Sequence, residues 1–242
     1  MVLRGTAMNA VQRLVEADRS SPKYILVIGD GMNDIYVHGR LEDSCQEGCR
    51  KFIEEERVFV PGGAANAARS LEYWHAEVLA VNTISLRPGP TKTRLMVEGR
   101  CILRHDNDRV DFDQSIVRAD TRHVLLHGPR KLDAVLLSDY DKGMLTLEFI
   151  RDVVRACNER GIPCVADVKR APEVYAGCIL KCNAAYNNRF PLSKRLDTRF
   201  VITNGADGPY LSINRTAEEW HYHIVRSGPR VNCVNHVGAG DC

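Results

Sequence analysis

The sequence predicts an α/β fold built on a mostly parallel central sheet, and three observations carry that expectation. Two short apolar runs, YILVI at 24–28 and AVLLS at 134–138, each end in polar residues: Gly29-Asp30 after the first, and Asp139, Tyr140, Asp141, Lys142 and Gly143 after the second. This is the pattern of parallel strands covered on both faces, whose carboxyl ends deliver polar side chains where ligands bind. The third observation is the order strand, helix, strand beyond Ser138. Thr146 caps a helix with Leu147, Ile150, Val153, Val154 and Cys157 on one face, Gly161-Ile162-Pro163 ends it, and Cys164 to Asp167 follows as a strand. A βαβ unit of this kind puts Asp167 and Lys169 on the same edge as Asp139.

Composition bounds the partners. The chain has 242 residues, 44% of them hydrophobic, enough for one large domain with a small appendage. A net charge of +2 from 33 basic and 31 acidic residues, without a basic block, points away from nucleic acid and membrane surfaces and toward small polar molecules. No apolar run approaches the roughly 18 residues of a membrane helix. Nine cysteines follow a start that lacks an apolar leader segment, so reduced thiols in the cytoplasm are expected rather than a disulfide framework. Cys45 and Cys49, like Cys178 and Cys182, stand four apart without further ligands at finger spacing, and no metal site is expected from them.

In chain order, residues 1–22 form an extension with Met8, Val11, Leu14 and Val15 at helical spacing. After the first strand, GDGMND lacks the third glycine of a dinucleotide fingerprint, because Asp34 stands there, and no GxxxxGK[ST] occurs. Any nucleotide phosphate must be held elsewhere. Asp34 either accepts hydrogen bonds from sugar hydroxyls or caps a turn or helix. Residues 35–60 read as two extended pieces around a charged middle, a small β lid. Pro61, Gly62 and Gly63 break the strand, and a helix opens with Asn66 in its first turn, where free N–H donors suit a polar ligand. The neighbouring alanines equally suit close helix packing.

Residues 77–82 form the next strand, and TKTRLMV with CILRHD makes two extended lid segments between about 91 and 105. Lys92, Arg94 and Arg104 there either meet a phosphate or acidic sugar substituent or are ordinary exposed strand charges. Residues 107–130 mix loop with a short helix. Strands are expected at 179–181, 200–203 and 210–213, and the turn from Asn204 to Gly208 either approaches a nucleotide or is a plain hairpin turn.

The last stretch, VNCVNHVGAGDC, runs Gly238, Ala239 and Gly240 into Asp241. Such small residues let backbone N–H groups converge on an anion, and an adjacent aspartate can act as general base on a hydroxyl that attacks a phosphoryl group held there. A bare GxGD is more often a tight turn with a solvated aspartate. Its company in this chain favours the chemical reading.

Taken together, PGGAAN at 61–66, SDYDKG at 138–143 and VGAGD at 237–241, supported in order by GDGMND, TKTR and ADVK, resemble the ribokinase/PfkB family of carbohydrate kinases. Within it they resemble the heptose 7-phosphate kinase type of ADP-heptose synthesis, from about Tyr24 to the end. The resemblance implies a three-layer α/β/α fold with a small β lid, Mg-ATP as cofactor, a sugar or sugar phosphate as acceptor, and a homodimer through the lid. It implies Asp241 as catalytic base and the amides of Gly238, Ala239 and Gly240 as anion hole. Asp34, Gly62, Gly63 and Asn66 would hold the sugar, with Asp139 also on the substrate side and Lys92 and Arg104 near the acceptor's distal end. Lys169, Asn183, Thr203 and Gly205 would lie on the nucleotide side.

The chain departs from that pattern in places. Asn183-Ala184-Ala185-Tyr186 stands where an Asn-x-x-Glu motif organises magnesium and phosphate, and Asn235 replaces an aspartate six residues before Asp241. Only 24 residues separate Asn66 from Thr91, so part of a strand and helix layer looks trimmed, and only Cys242 follows Asp241. The polypeptide is therefore expected to be a fragment or truncated product of a longer kinase, and a poor catalyst alone. A non-catalytic sugar- or nucleotide-binding protein and a nucleoside kinase of the same fold remain the alternatives.

Overall fold

The computed structural model describes residues 23–43, 47–73, 76–82, 89–108, 114–128, 132–192, 199–203, 210–215 and 220–224. They form two sheets. The larger contains β1 (Tyr24–Gly29), β4 (Glu77–Asn82), β7 (Ala134–Ser138), β8 (Cys164–Asp167), β9 (Ile179–Asn183), β10 (Phe200–Thr203), β11 (Tyr210–Arg215) and β12 (Trp220–Ile224), in the spatial order β12-β11-β10-β9-β8-β7-β1-β4. The six strands from β10 to β4 run parallel, and β11 and β12 add an antiparallel hairpin. The smaller sheet contains β2 (Gly31–Glu42), β3 (Lys51–Gly63), β5 (Thr91–Val97) and β6 (Arg100–Asn107), in the order β3-β2-β5-β6.

Two cores lie on opposite faces of the parallel sheet, as the period-2 alternation of a strand demands. Leu26 and Ile28 of β1 face one core with Val135 and Leu137 of β7, where α3 (Leu147–Arg160) packs Phe149, Ile150, Val153, Val154 and Cys157, and α2 (Gln114–His127) adds Leu125. Val27 faces the other core with Ala64 and Ala68 of α1 (Ala64–Tyr73), and Ile25, Leu71, Val78 and Leu136 pack around it. Each large side chain so buried stabilises the fold by about 1.5–3 kcal/mol. The result is the three-layer α/β/α arrangement expected from the sequence, with the small β sheet beside it. Among the described residues, no helix is long and apolar enough to cross a membrane.

Several local expectations are corrected. Pro61 does not break its strand but sits in β3 opposite Asn33, which the ladder tolerates because β3 is an edge strand and needs no N–H there. Asp34 lies inside β2, so it caps neither turn nor helix. The chain leaves β1 at Gly29 and enters β2 at Gly31, with Asp30 alone between the two sheets. Helix α2 spans 14 residues where a short helix was expected. Leu147 is 45% exposed, and Phe149 takes its place in the core. The ends of α3 are as read: Thr146 Oγ accepts from the N–H of Phe149, and Gly161 adopts a left-handed φ of 64°. Strand β12 and a 3-10 turn at Pro172–Tyr175 were not anticipated.

Candidate active site

The carboxyl ends of β1, β7 and β8 meet as the strand pattern implied. Ser138 is level with Gly29 on one side and Asp167 on the other, and the N–H of Asp139 donates to the carbonyl of Asp167 at 3.1 Å. Asp30, fully buried, organises this edge. Its carboxylate accepts from the N–H groups of Tyr140 (2.9 Å), Lys142 (3.1 Å) and Met144 (3.0 Å), folding the segment 140–144 around itself. Its backbone receives the N–H of Ala64 and donates to Ser138, which fixes the start of α1 against the same point. Burial pushes the Asp30 carboxyl above its usual range, and the donated amides oppose that shift.

Asp139, expected on the substrate side, lies at the same edge. It is fully buried, accepts from the Tyr175 hydroxyl at 2.6 Å and the Asp141 N–H at 2.8 Å, and pairs with Arg170 at 3.3 Å. A carboxylate so committed shapes the edge of the sheet. Burial raises its pKa, with the Tyr175 hydrogen bond and Arg170 opposing, and the Tyr175 hydroxyl is driven well upward by burial and by Asp139. Arg170 also reaches Asp141 at 2.9 Å, tying the end of β8 to the β7 loop.

The small sheet supplies the opposite wall. Asp34 pairs with Arg94 across the parallel β2–β5 ladder at 2.6 Å, and the Arg94 guanidinium lies 5.2 Å from the centre of the Tyr36 ring. Gly62 is required here because a Cβ would run into the Asp34 carboxylate, and Gly63 adopts φ +58° against the Asp30 carbonyl. Asn66 is buried in the first turn of α1, where its side-chain oxygen accepts from Arg69 at 3.1 Å. Lys92, level with Asp34, places its ammonium 5.4 Å from the centre of the Tyr140 ring. Burial lowers its pKa, opposed by Asp34 and Asp106. Arg104 is exposed on β6 and pairs with Asp106 at 2.9 Å.

On the other side of the edge, Lys169 lies 4.8 Å from the centre of the same Tyr140 ring and 3.8 Å from Asp167, which Lys181 also engages at 3.0 Å. Asn183 uses its side-chain oxygen to cap α4 (Ala184–Arg189), accepting from the Tyr186 N–H at 2.8 Å. The Tyr186 hydroxyl donates to the Arg170 carbonyl at 2.7 Å. Thr203 donates to the Cys182 carbonyl at 3.2 Å. Gly205, Gly238, Ala239, Gly240 and Asp241 lie outside the described residues.

The structure thus brings Asp34, Gly62, Gly63, Asn66 and Lys92 together around the point where Asp30 joins the sheets, and sets both Lys92 and Lys169 near the Tyr140 ring. The organising roles of Asp30, Tyr140, Arg170 and Tyr175 were missed. Asp30 was in principle visible, as the first polar residue with a side chain after an apolar parallel strand. Cys178 and Cys182, considered above for zinc, are buried in the core, with the Cys178 sulfur 3.4 Å from that of Cys164.

This is a ribokinase-like fold. The ribokinase of Arabidopsis thaliana, solved with ribose and ATP, matches it with a TM-score of 0.60 at 17% identity, over 91% of this chain and 83% of that one. A structure described as a putative ribokinase from Agrobacterium tumefaciens matches with a TM-score of 0.57 at 15% identity, over 91% and 81%. In sequence the chain is similar to the bifunctional protein HldE of Hyphomonas neptunium, 28% identical over 196 residues, which cover 69% of this chain and 40% of that protein. The chain thus spans about two fifths of the length of that relative. No family profile matches it.

Proposed function

We propose that this chain is the phosphoryl-transfer part of an ATP-dependent carbohydrate kinase whose acceptor is a hydroxyl of a sugar or sugar phosphate, of the heptose 7-phosphate type. The observation that carries the reading is the two-walled edge, on which Asp34 and Lys92 of the small sheet and Lys169 of the parallel sheet gather around the loop that Asp30 holds. The fold shared with a ribokinase solved with ribose and ATP, and the similarity to HldE, support it.

Asp34 and Asn66 orient the sugar hydroxyls, and Lys92 and Arg104 receive the acceptor's anionic end. Asp241 takes the proton of the attacking hydroxyl, and the amides of Gly238, Ala239 and Gly240 hold charge on the transferring group. ATP, when bound, would supply the phosphoryl group, and we assign Lys169 to its phosphates. Magnesium is assigned no ligand among the described residues: Asn183 is engaged in the α4 cap and Tyr186 stands where a carboxylate would be needed. No step is routed through it. Exposed Phe59 and Leu103 on the small sheet support self-association through that sheet.

The same Asn183 and Tyr186 contacts favour a second reading, a binding protein that no longer transfers phosphate. ADP release by the product of the whole gene, tested with a sugar phosphate, an unphosphorylated sugar and adenosine, separates the possibilities. Release with the sugar phosphate is the expected result. Calorimetric binding without release establishes the second reading, and preference for adenosine overturns the choice of acceptor.

A further inference from the structure

Tyr140 lies on the main-sheet loop, yet its ring is approached by a lysine from each wall. Lys92 of β5 places its ammonium 5.4 Å from the ring centre, and Lys169, two residues beyond β8, places its own at 4.8 Å. The backbone that carries the ring is anchored, because the Tyr140 N–H donates to the buried Asp30 carboxylate. A second tie runs alongside, where Lys142 of the same loop pairs with Asp108 just past β6. Two ammonium groups left to themselves would repel each other. The electron-rich face of an aromatic ring attracts both, at a range where such contacts stabilise. Mutual repulsion and the anionic neighbours Asp34 and Asp167 would otherwise draw the lysines to their own sheets.

We propose that Tyr140 is a positioning residue that holds Lys92 of the small sheet and Lys169 of the parallel-sheet edge close to one ring, so that two anions, one on each substrate, are drawn to a common point between the sheets. This rests on the kinase reading for the identity of the two anions, but the positioning itself does not. The ring, not the hydroxyl, does the work. Tyr140→Phe therefore keeps the arrangement and Tyr140→Leu loses it.

The test reads the lysines directly by NMR, without substrate, in wild type, Tyr140→Phe and Tyr140→Leu, with Lys92→Arg and Lys169→Arg used to assign the side-chain signals. In wild type and Tyr140→Phe, the Hε signals of Lys92 and Lys169 lie upfield of the other lysines because of the ring current, and in Tyr140→Leu both return to the common position. With a sugar phosphate acceptor, Tyr140→Leu raises KM about three- to tenfold, the strength of a partly buried cation–π contact, with kcat changed less than twofold. Ordinary lysine shifts in wild type, or shifts unchanged in Tyr140→Leu, overturn the proposal even should that variant fold poorly. A displaced signal for one lysine alone also overturns it. Lysine shifts that move as stated in a protein with no turnover uphold the positioning and count against the kinase reading alone.

Discussion

Asp34 on β2 and Arg94 on β5 close an ion pair at 2.6 Å inside the small sheet, with only 13% and 8% of their side chains exposed. Removing one member of such a pair leaves a desolvated charge, which costs more than the pair itself contributes. Arg94→Met should destabilise the protein by about 3 kcal/mol in urea unfolding. Replacing both, as Asp34→Leu with Arg94→Met, should restore much of that loss while abolishing acceptor binding. A double variant as unstable as the single one would show that the pair is not the source.

Gly62 and Gly99 make a controlled comparison. A Cβ at Gly62 meets the Asp34 carboxylate, whereas Gly99, at φ +75°, has nothing within 4 Å of that position. Gly62→Ala should cost about 1–3 kcal/mol by overpacking and also weaken acceptor binding by displacing Asp34. Gly99→Ala should cost about 1 kcal/mol of backbone strain and leave binding unchanged. Thermal unfolding and calorimetry check both.

Asp139 supplies a pH signature. Its folded-state pKa is raised, chiefly by burial, so its contribution to stability is full below the unfolded value of 3.8 and is lost as pH rises through the folded one. Asp139→Asn removes that dependence while keeping an acceptor for the Asp141 N–H. The stability of the variant minus that of wild type should therefore increase with pH from just below 4 upward and then level off. Denaturant titrations at successive pH values measure it, and a difference that falls over that interval contradicts the burial argument.

Phe59 and Leu103 are 64% and 57% exposed on the edge strands of the small sheet. If the small sheet mediates self-association as proposed, wild type should sediment as a dimer, and Phe59→Ser combined with Leu103→Ser should shift it to a monomer. The fold of each subunit should be unchanged, since neither side chain belongs to a core.

The parallel sheet was legible because each strand is an apolar run too short for a helix and closed by polar residues, and β1, β7 and β8 lie where YILVI, AVLLS and CVAD placed them. The reach of β3 through Pro61 was not, because proline signals a break unless the strand is known to be an edge, and edge position is a property of the assembled sheet. The partners of Asp139 were hidden for a related reason. Its place at a strand end was legible, but its partners Tyr175 and Arg170 lie more than thirty residues away and leave no local trace. Tyr140 was hidden in the same way, since one of its lysines comes from β5 of the small sheet and the other from the segment just beyond β8 of the parallel sheet.

The account depends most on a base at Asp241 acting on a sugar held beside Asp34 and Asn66. The direct measurement is the rate of ADP release with a sugar phosphate acceptor for wild type and Asp241→Asn, in the product of the whole gene. A loss of kcat of about a hundredfold or more, with the acceptor KM little changed, is the predicted result. Equal kcat in the two proteins would contradict it.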